Sequence, residues 1–418
     1  MKELQYDVVV VGGGAAGMAA ALAVHGRGFR CAVVEREAHL GGILLQCIHN
    51  GFGLQEFQKE FTGPEYADEF INKVRAEEID VYERTTVMSL TPTDGAHEAY
   101  CYSPENGVMR LSSSAVVLAM GCRERNRGNI RIPGSRPAGV YTAGLAQRLV
   151  NIEGYIPGEK VVIIGSGDIG LIMARRMTWV GSSVEAVVEI QPYPSGLTRN
   201  IVQCLNDFGI PLYLSHVVSR IEGRDRVERV EVTPLENGIP DTDQSFMVDC
   251  DTVLLSVGLI PENELSKQAG VELNPQTGGA LVDSTLMSNV PGIFACGNVL
   301  HVHDLVDFVS EEARRTGNYV ADYLMGRRPK REVLIKAGAN VRYVTPTRLN
   351  PDAPDKLYMR ALVVKNHAEV EIKLDNTVIK KARKTHVQPS EMLSVKLREN
   401  DLKNVRLTDD SVLEVNIR

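Results

Sequence analysis

The chain has 418 residues, 44% of them hydrophobic and 24% charged, which exceeds one ordinary domain and suits two or three. Its net charge of -7 argues against a nucleic-acid partner. No apolar run reaches the ~18 residues that span a bilayer, and the first strand starts without the leader of a secreted protein, so a cytoplasmic location is expected.

Taken in order, Tyr6 to Val11 reads as a buried strand, Ala15 to Arg27 as a helix, and Cys31 to Val34 as a second strand. A glycine-rich connection follows, then a helix from about Pro64 to Glu77 and antiparallel strands to about residue 110. Ser114 to Gly121 is a buried strand ending in glycine. A polar loop bearing Arg123, Arg125 and Arg127, which either approach a phosphate or an acidic partner or stay solvated, leads through Ile132-Pro133-Gly134 to a second strand, Lys160 to Ile164. Ala186 to Glu189 and Asp251 to Pro261 supply further strands, and a helix is expected from about Asp304 to Met325. Beyond Pro329 the pattern changes to alternation of period two, as in Lys356 to Val364, which predicts a small β-sandwich. The basic run Lys380 to Lys384 falls in this region and reads as a solvated sheet face.

One motif occurs twice. Gly12-Gly13-Gly14-Ala15-Ala16-Gly17 and Gly165-Ser166-Gly167-Asp168-Ile169-Gly170 each end a β-branched strand and open a helix. Each is followed about twenty residues later by an acid closing the next strand, Glu35 and Glu189. The first glycine allows the tight turn, the second lets the backbone approach a pyrophosphate, and the third lets helix and strand pack closely; the phosphates then meet the positive end of the helix. Each acid is placed for an adenosine ribose. A carboxylate there repels a 2′-phosphate, so Glu189 favours NAD over NADP, with Arg199 keeping NADP open. Two such sites imply electron transfer between two dinucleotides.

With these motifs the chain resembles the pyridine nucleotide-disulfide oxidoreductase superfamily over about residues 5 to 326. Gly41-Gly42, the turns at Ala119-Met120-Gly121 and Ser256-Val257-Gly258, and Gly292 to Asn298 add to the likeness. The resemblance implies an α/β fold of two Rossmann-like domains, the second inserted in the first as in glutathione reductase, plus a small C-terminal all-β domain. The implied boundaries are 1–155 with 285–328 for FAD, 156–284 for NAD(P)H, and 329–418 for the β domain. FAD is then assigned to Gly12, Gly14, Ala15, Ala16, Gly17, Glu35, Arg36, Gly42, Ala119, Gly121, Gly297 and Asn298. NAD is assigned to Gly165, Gly167, Asp168, Ile169, Gly170, Glu189 and Gly258. Asn298 stands where the family has an aspartate to the ribityl chain, and its amide still donates and accepts.

The departures bear on mechanism. Leu44 and His49 occupy the positions of the redox cysteines, and the seven cysteines (Cys31, Cys47, Cys101, Cys122, Cys204, Cys250, Cys296) form no C-x-x-C and no metal-type spacing. Disulfide reduction by thiol exchange is therefore disfavoured. The segment Gly41 to Leu54, together with Ile190 to Asn200, Gly297 to Glu312 and the tail, resembles a disulfide-free branch. In that branch the flavoprotein accompanies a glycerol-3-phosphate dehydrogenase-like subunit and a small cysteine-rich protein. A hydride exchanged between nicotinamide and flavin is the implied chemistry. His49 and Cys47 fall nearest the implied flavin ring, His49 as a proton donor, flavin contact or packing group, and Cys47 as a peroxidatic or inert thiol. A stand-alone NADH oxidase or peroxidase using Cys47, a diaphorase or ferredoxin-type reductase, and a structural subunit with a vacant nicotinamide site stay as alternatives. His301-Val302-His303-Asp304 permits a metal reading, but its place after the flavin motif favours flavin contact and helix capping by Asp304; no metal is expected, and the helix dipole is expected to face the flavin.

Overall fold

A computed structural model describes residues 1–93, 95–375, 377–403, 405–408 and 410–418. The chain divides into two compact units: Met1–Cys122 with Pro261–Arg418, and Arg123–Ile260. The first unit opens with β1 (Lys2–Val11), α1 (Ala15–His25) and β2 (Cys31–Val34), then α2 (Gly63–Ala76), β3 (Asp80–Tyr82), β4 (Thr86–Thr93), β5 (Ala96–Ser103) and β6 (Gly107–Leu118). The sheet runs β3-β2-β1-β6-β5-β4, parallel through β6 and antiparallel beyond it. Because successive side chains on β1 point to opposite faces, Val8 and Val10 join one core with α1 and α2, while Val9 and Val11 join another. That two-sided burial explains the unbroken valine run. Strand β1 starts before Tyr6 because Lys2 to Gln5 extend the ladder along β6. Helix α2 starts at Gly63, where Thr62 and Glu65 form a reciprocal capping box.

The second unit carries β7 (Val140–Thr142), β8 (Lys160–Ile164), α3 (Asp168–Trp179), β9 (Ser183–Glu189), β10 (Leu212–Leu214), β11 (His216–Glu222), β12 (Arg229–Glu236), β13 (Phe246–Asp249) and β14 (Thr252–Leu255). Its parallel sheet is ordered β7-β14-β8-β9-β10. Strand β12 pairs antiparallel with β11 and β13. The strand expected to run from Asp251 to Pro261 ends at Leu255, ahead of the turn at Gly258 with φ +97°.

The chain then returns to the first unit through β15 (Ile293–Ala295), which extends the parallel sheet by pairing the C-terminal end of β6, and α4 (Val306–Leu324). The final segment forms β16 (Val333–Ala337), β17 (Val341–Thr345), β18 (Arg348–Leu349), β19 (Lys356–Ala361), β20 (Lys365–Leu374), β21 (Thr377–Val387), β22 (Met392–Lys396) and β23 (Val412–Ile417). These make a five-stranded sheet, β18-β16-β23-β20-β21, and a three-stranded one, β17-β19-β22, around one apolar cluster. On β21 the basic run is matched by acids: Lys380 meets Asp401 at 2.7 Å and Lys381 meets Glu369 at 2.6 Å.

The unit boundaries differ from the expected 156–284. Residues 123–155 belong with the second unit because β7 pairs β14 and Ala143, Ala146 and Val150 enter its core. Residues 261–284 belong with the first, where Ala269, Val271, Ala280 and Val282 pack beside β1 and β6. No helix among the described residues is long and apolar enough to cross a membrane.

Candidate functional site

The first turn is built by close approach of backbone. Gly12 has φ +105°, and a Cβ there would stand 2.5 Å from the Ala119 carbonyl; one on Gly17 would stand 1.8 Å from the Gly12 carbonyl. Only glycine satisfies both. Gly14 is different: it caps α1 with ordinary φ, and a Cβ would meet nothing within 4 Å. The first turn of α1 holds no acid and no side-chain cap, so its first N–H groups have no partner from within the helix or its cap. Gly42 closes the far side, its Cβ position lying 3.2 Å from the Gly14 Cα. The buried Glu35 carboxylate accepts from Gly13 N at 2.7 Å and Glu37 N at 2.8 Å. Ala119 donates its N–H to Val11 at 2.9 Å, and Gly121 follows with φ +72°. Arg36 is exposed. Gly297 is buried against Ala16, and the Asn298 amide accepts from His303 N at 3.0 Å and donates to Cys122 Sγ at 3.6 Å. The structure thus gathers Gly12, Gly14, Ala16, Gly17, Glu35, Gly42, Ala119 and Gly297, and the open space at Gly14, at the start of α1, fits a dinucleotide pyrophosphate.

The second turn repeats the glycine logic: Gly165 has φ +93°, and a Cβ on Gly170 would lie 2.7 Å from the Gly165 carbonyl. Its acid is held by serine hydroxyls as well as backbone N–H groups. Glu189 accepts from Ser166 N at 2.9 Å, Ser166 Oγ at 2.6 Å, Ser195 Oγ at 3.1 Å and Gln191 N at 2.9 Å. Asp168, in the first turn of α3, accepts from Leu197 N at 2.8 Å and Asn200 Nδ2 at 2.7 Å, fixing the 195–200 segment. Ser256 Oγ accepts from Gly170 N at 3.1 Å. Arg199 is exposed on the short helix Thr198–Cys204. Of the loop arginines, Arg127 spends its guanidinium on the carbonyls of Ile132, Pro133 and Ser135 at 2.6–3.2 Å and is committed to the loop itself.

The residues expected near the flavin ring make the following local contacts. Cys47 donates to the Ile43 carbonyl at 3.3 Å, and burial pushes its thiol up to about 12. That direction is opposite to the lowered value that sulfenic-acid cycling requires. His49 lies over Phe52, ring centroids 4.9 Å apart, with Nδ1 3.1 Å from the Asn50 carbonyl.

One expectation at α4 is corrected. Asp304 does not cap the helix: Leu305 is the N-cap, without a side-chain bond, and Asp304 instead bonds Arg360 and Met392 N. The positive end of α4 already holds a buried carboxylate, Asp307, which accepts from Gly53, Gln55 and Glu56 N–H groups at 3.3, 3.2 and 2.8 Å. Asp307 and Glu312 fall within the Gly297 to Glu312 likeness, but the sequence assigned neither a role. Glu312 is wholly buried and accepts from Gly297 N at 2.7 Å. Burial opposes its charge, yet the imidazoles of His303 and His301 outweigh burial and hold it well below the usual carboxylate range. Its position three residues after Val309 and four before Thr316, on the inward stripe of α4, is the signal that marks it.

A family profile described as "Pyridine nucleotide-disulphide oxidoreductase" matches residues 6–318. One subunit of the alkyl hydroperoxide reductase of Pseudomonas aeruginosa is 28% identical over 303 residues, 71% of this chain and 54% of that protein. The HcnB subunit of the hydrogen cyanide synthase of Pseudomonas protegens is 26% identical over 320 residues, 71% of this chain and 66% of that protein. The chain therefore spans about half to two thirds of these relatives. Thioredoxin reductase of T. acidophilum has the same fold over 77% of this chain and 99% of its own, with a TM-score of 0.64 at 23% identity. With the profile covering most of the chain and both glycine turns in place, the chain belongs to the pyridine nucleotide-disulphide oxidoreductase family, a membership that implies FAD and NAD(P).

Proposed function

We propose that the chain is an FAD-dependent oxidoreductase exchanging a hydride between a nicotinamide dinucleotide, NAD in preference to NADP, and flavin without a sulfur relay. The observation that carries this reading is the pair of glycine turns, each with its buried acid, in a chain whose seven cysteines form no disulfide. Bound FAD supplies the two-electron chemistry. The chain supplies placement: Gly12, Gly14 and Gly17 open the backbone to phosphate, Glu35 and Glu189 meet the two riboses, and Gly297 and Asn298 line the flavin side. Glu189 supports NAD because a second anion beside its carboxylate is repelled. Desolvation that raises the Cys47 thiol weighs against a peroxidase cycle.

The reading extends to a subunit role. Both curated relatives are named as subunits. The segments at 41–54, 190–200 and 297–312 resemble the branch that serves a glycerol-3-phosphate dehydrogenase-like partner with a small cysteine-rich protein. The partner then oxidises glycerol 3-phosphate or a similar hydroxy acid, and this chain passes the electrons to NAD.

Anaerobic mixing tests the core of the proposal. The FAD-loaded protein is expected to lose its yellow colour with NADH faster than with NADPH. A protein that cannot be reconstituted with FAD, or that stays yellow with both nucleotides, overturns it. Glycerol-3-phosphate-dependent reduction of NAD by the natively purified assembly tests the subunit role.

A further inference from the structure

The segment after Gly297 turns two imidazoles inward onto a single acid of α4. His301 Nε2 lies 2.8 Å from one Glu312 oxygen and His303 Nε2 lies 3.2 Å from the other, and all three side chains are shut off from solvent. The three potential donor atoms fall within 4.8 Å of one another. On the same residues and on Tyr358, whose ring packs against both imidazoles, further polar atoms are buried without a protein partner: Nδ1 of His301, Nδ1 of His303 and the Tyr358 hydroxyl. The Tyr358 ring centroid stands 5.4 Å from His301 and 5.5 Å from His303. Interior polar atoms are nearly always satisfied by protein or by something bound. Of the neighbouring arginines, Arg360 pairs with Asp304 at 2.5 Å, and Arg315 lies 3.3 Å from Asp355 with its Nε buried without a hydrogen-bond partner.

We propose that His301, His303 and Glu312 hold a divalent metal ion of the zinc type. Two imidazoles and a carboxylate are a borderline donor set that suits zinc at bond lengths of about 2.0–2.2 Å. Neighbouring donors on such an ion stand about 3 Å apart, close to the two separations observed. The Gly297 N–H on Glu312 is the outer support that a ligating carboxylate ordinarily receives. The Tyr358 hydroxyl is the side chain available for a fourth position, directly or through a bound water. A dication would also offset the charge of a carboxylate buried in a dry interior. The sequence pattern points to Asp304 as the third ligand; the fold supplies Glu312 from α4 instead and sends Asp304 to Arg360. This site is independent of the hydride reading.

The test is metal content and zinc affinity of the full-length protein. Protein purified without chelator and incubated with zinc is expected to retain one zinc per chain after gel filtration, by plasma emission. X-ray absorption should show nitrogen and oxygen neighbours with the outer-shell pattern of histidine. Folded His303→Ala and Glu312→Gln variants, verified by circular dichroism, should bind zinc at least about a hundredfold more weakly against a competing chelator. No retained zinc in the wild type, zinc that survives in a folded variant, or sulfur neighbours in the absorption spectrum each overturn the proposal. If both variants fail to fold, the absorption spectrum of the wild type decides alone.

Discussion

The two glycine turns begin from one sequence logic and end in different local structures. Around the first, every bond that fixes the acid comes from backbone, Gly13 and Glu37, and the cradle at Gly14 is left bare. Around the second, the acid is ringed by serine hydroxyls, and an aspartate in the first helical turn ties down the segment that follows β9. The first turn is thus set by chain trace, so changes there act on whether a ligand binds at all. The second is finished by side chains, so changes there act on which ligand is preferred.

The largest effect expected from this contrast is at Gly14. Its φ of -75° is open to any residue and a Cβ meets no atom, so Gly14→Leu should fold normally while filling the space for phosphate. Flavin content after purification should fall almost to zero with the thermal midpoint little changed. Gly12→Ala is the counterpart: its Cβ meets the Ala119 carbonyl at left-handed φ, a strain of about 1–3 kcal/mol that should lower the thermal midpoint as well. Full flavin content in Gly14→Leu breaks the comparison at its first term.

Asp307 sharpens the same point. It holds three backbone N–H groups of the 53–56 connection from within the buried end of α4. Asp307→Ala strands those donors, which should cost about 2–3 kcal/mol in denaturant unfolding and raise amide exchange at Gly53, Gln55 and Glu56 first. Uniform exchange across the unit would show that this connection is fixed by something else.

At the second turn the expected effect is a change of preference. Glu189→Ala removes the carboxylate that opposes a 2′-phosphate, so the ratio of kcat/KM for NADPH to that for NADH should rise about tenfold, or about 1.4 kcal/mol. A ratio that stays fixed while both values fall would show that Glu189 acts through the loop it holds rather than on the ribose.

Much of this was legible in the sequence because it depends on period and on glycine. The valines of β1, the two fingerprints and the alternation after Pro329 follow from patterns confined to neighbouring residues. The missing parts involve partners that no local pattern pairs. Asp307 reaches back some 250 positions to the 53–56 connection, and Glu312 gathers Gly297, His301 and His303 from the preceding turn. Spacing alone pointed to Asp304 as the cap of α4, because nothing local reveals that Arg360 on β19 claims it. The unit boundaries moved for a similar reason: β7 joins its sheet by pairing β14, about 110 residues later.

The smallest expected effect on activity is at Cys47, where none is expected. A thiol pushed up to about 12 by burial keeps its proton throughout the neutral range, so Cys47→Ser should leave peroxide-dependent NADH oxidation unchanged. Iodoacetamide should leave this position unlabelled in the native protein until the pH nears 12. The same burial fixes the sign of a pH effect on stability. Above about 8.5 the unfolded thiol ionises while the folded one does not, so the folded state holds more protons and stability falls as pH rises. Cys47→Ser should remove that thiol's share of the slope, about 1.4 kcal/mol per pH unit between 9 and 11, measured by denaturant unfolding. An unchanged slope, or rapid labelling at pH 8, would mean that the thiol is accessible after all and would return a cysteine to the first unit's chemistry.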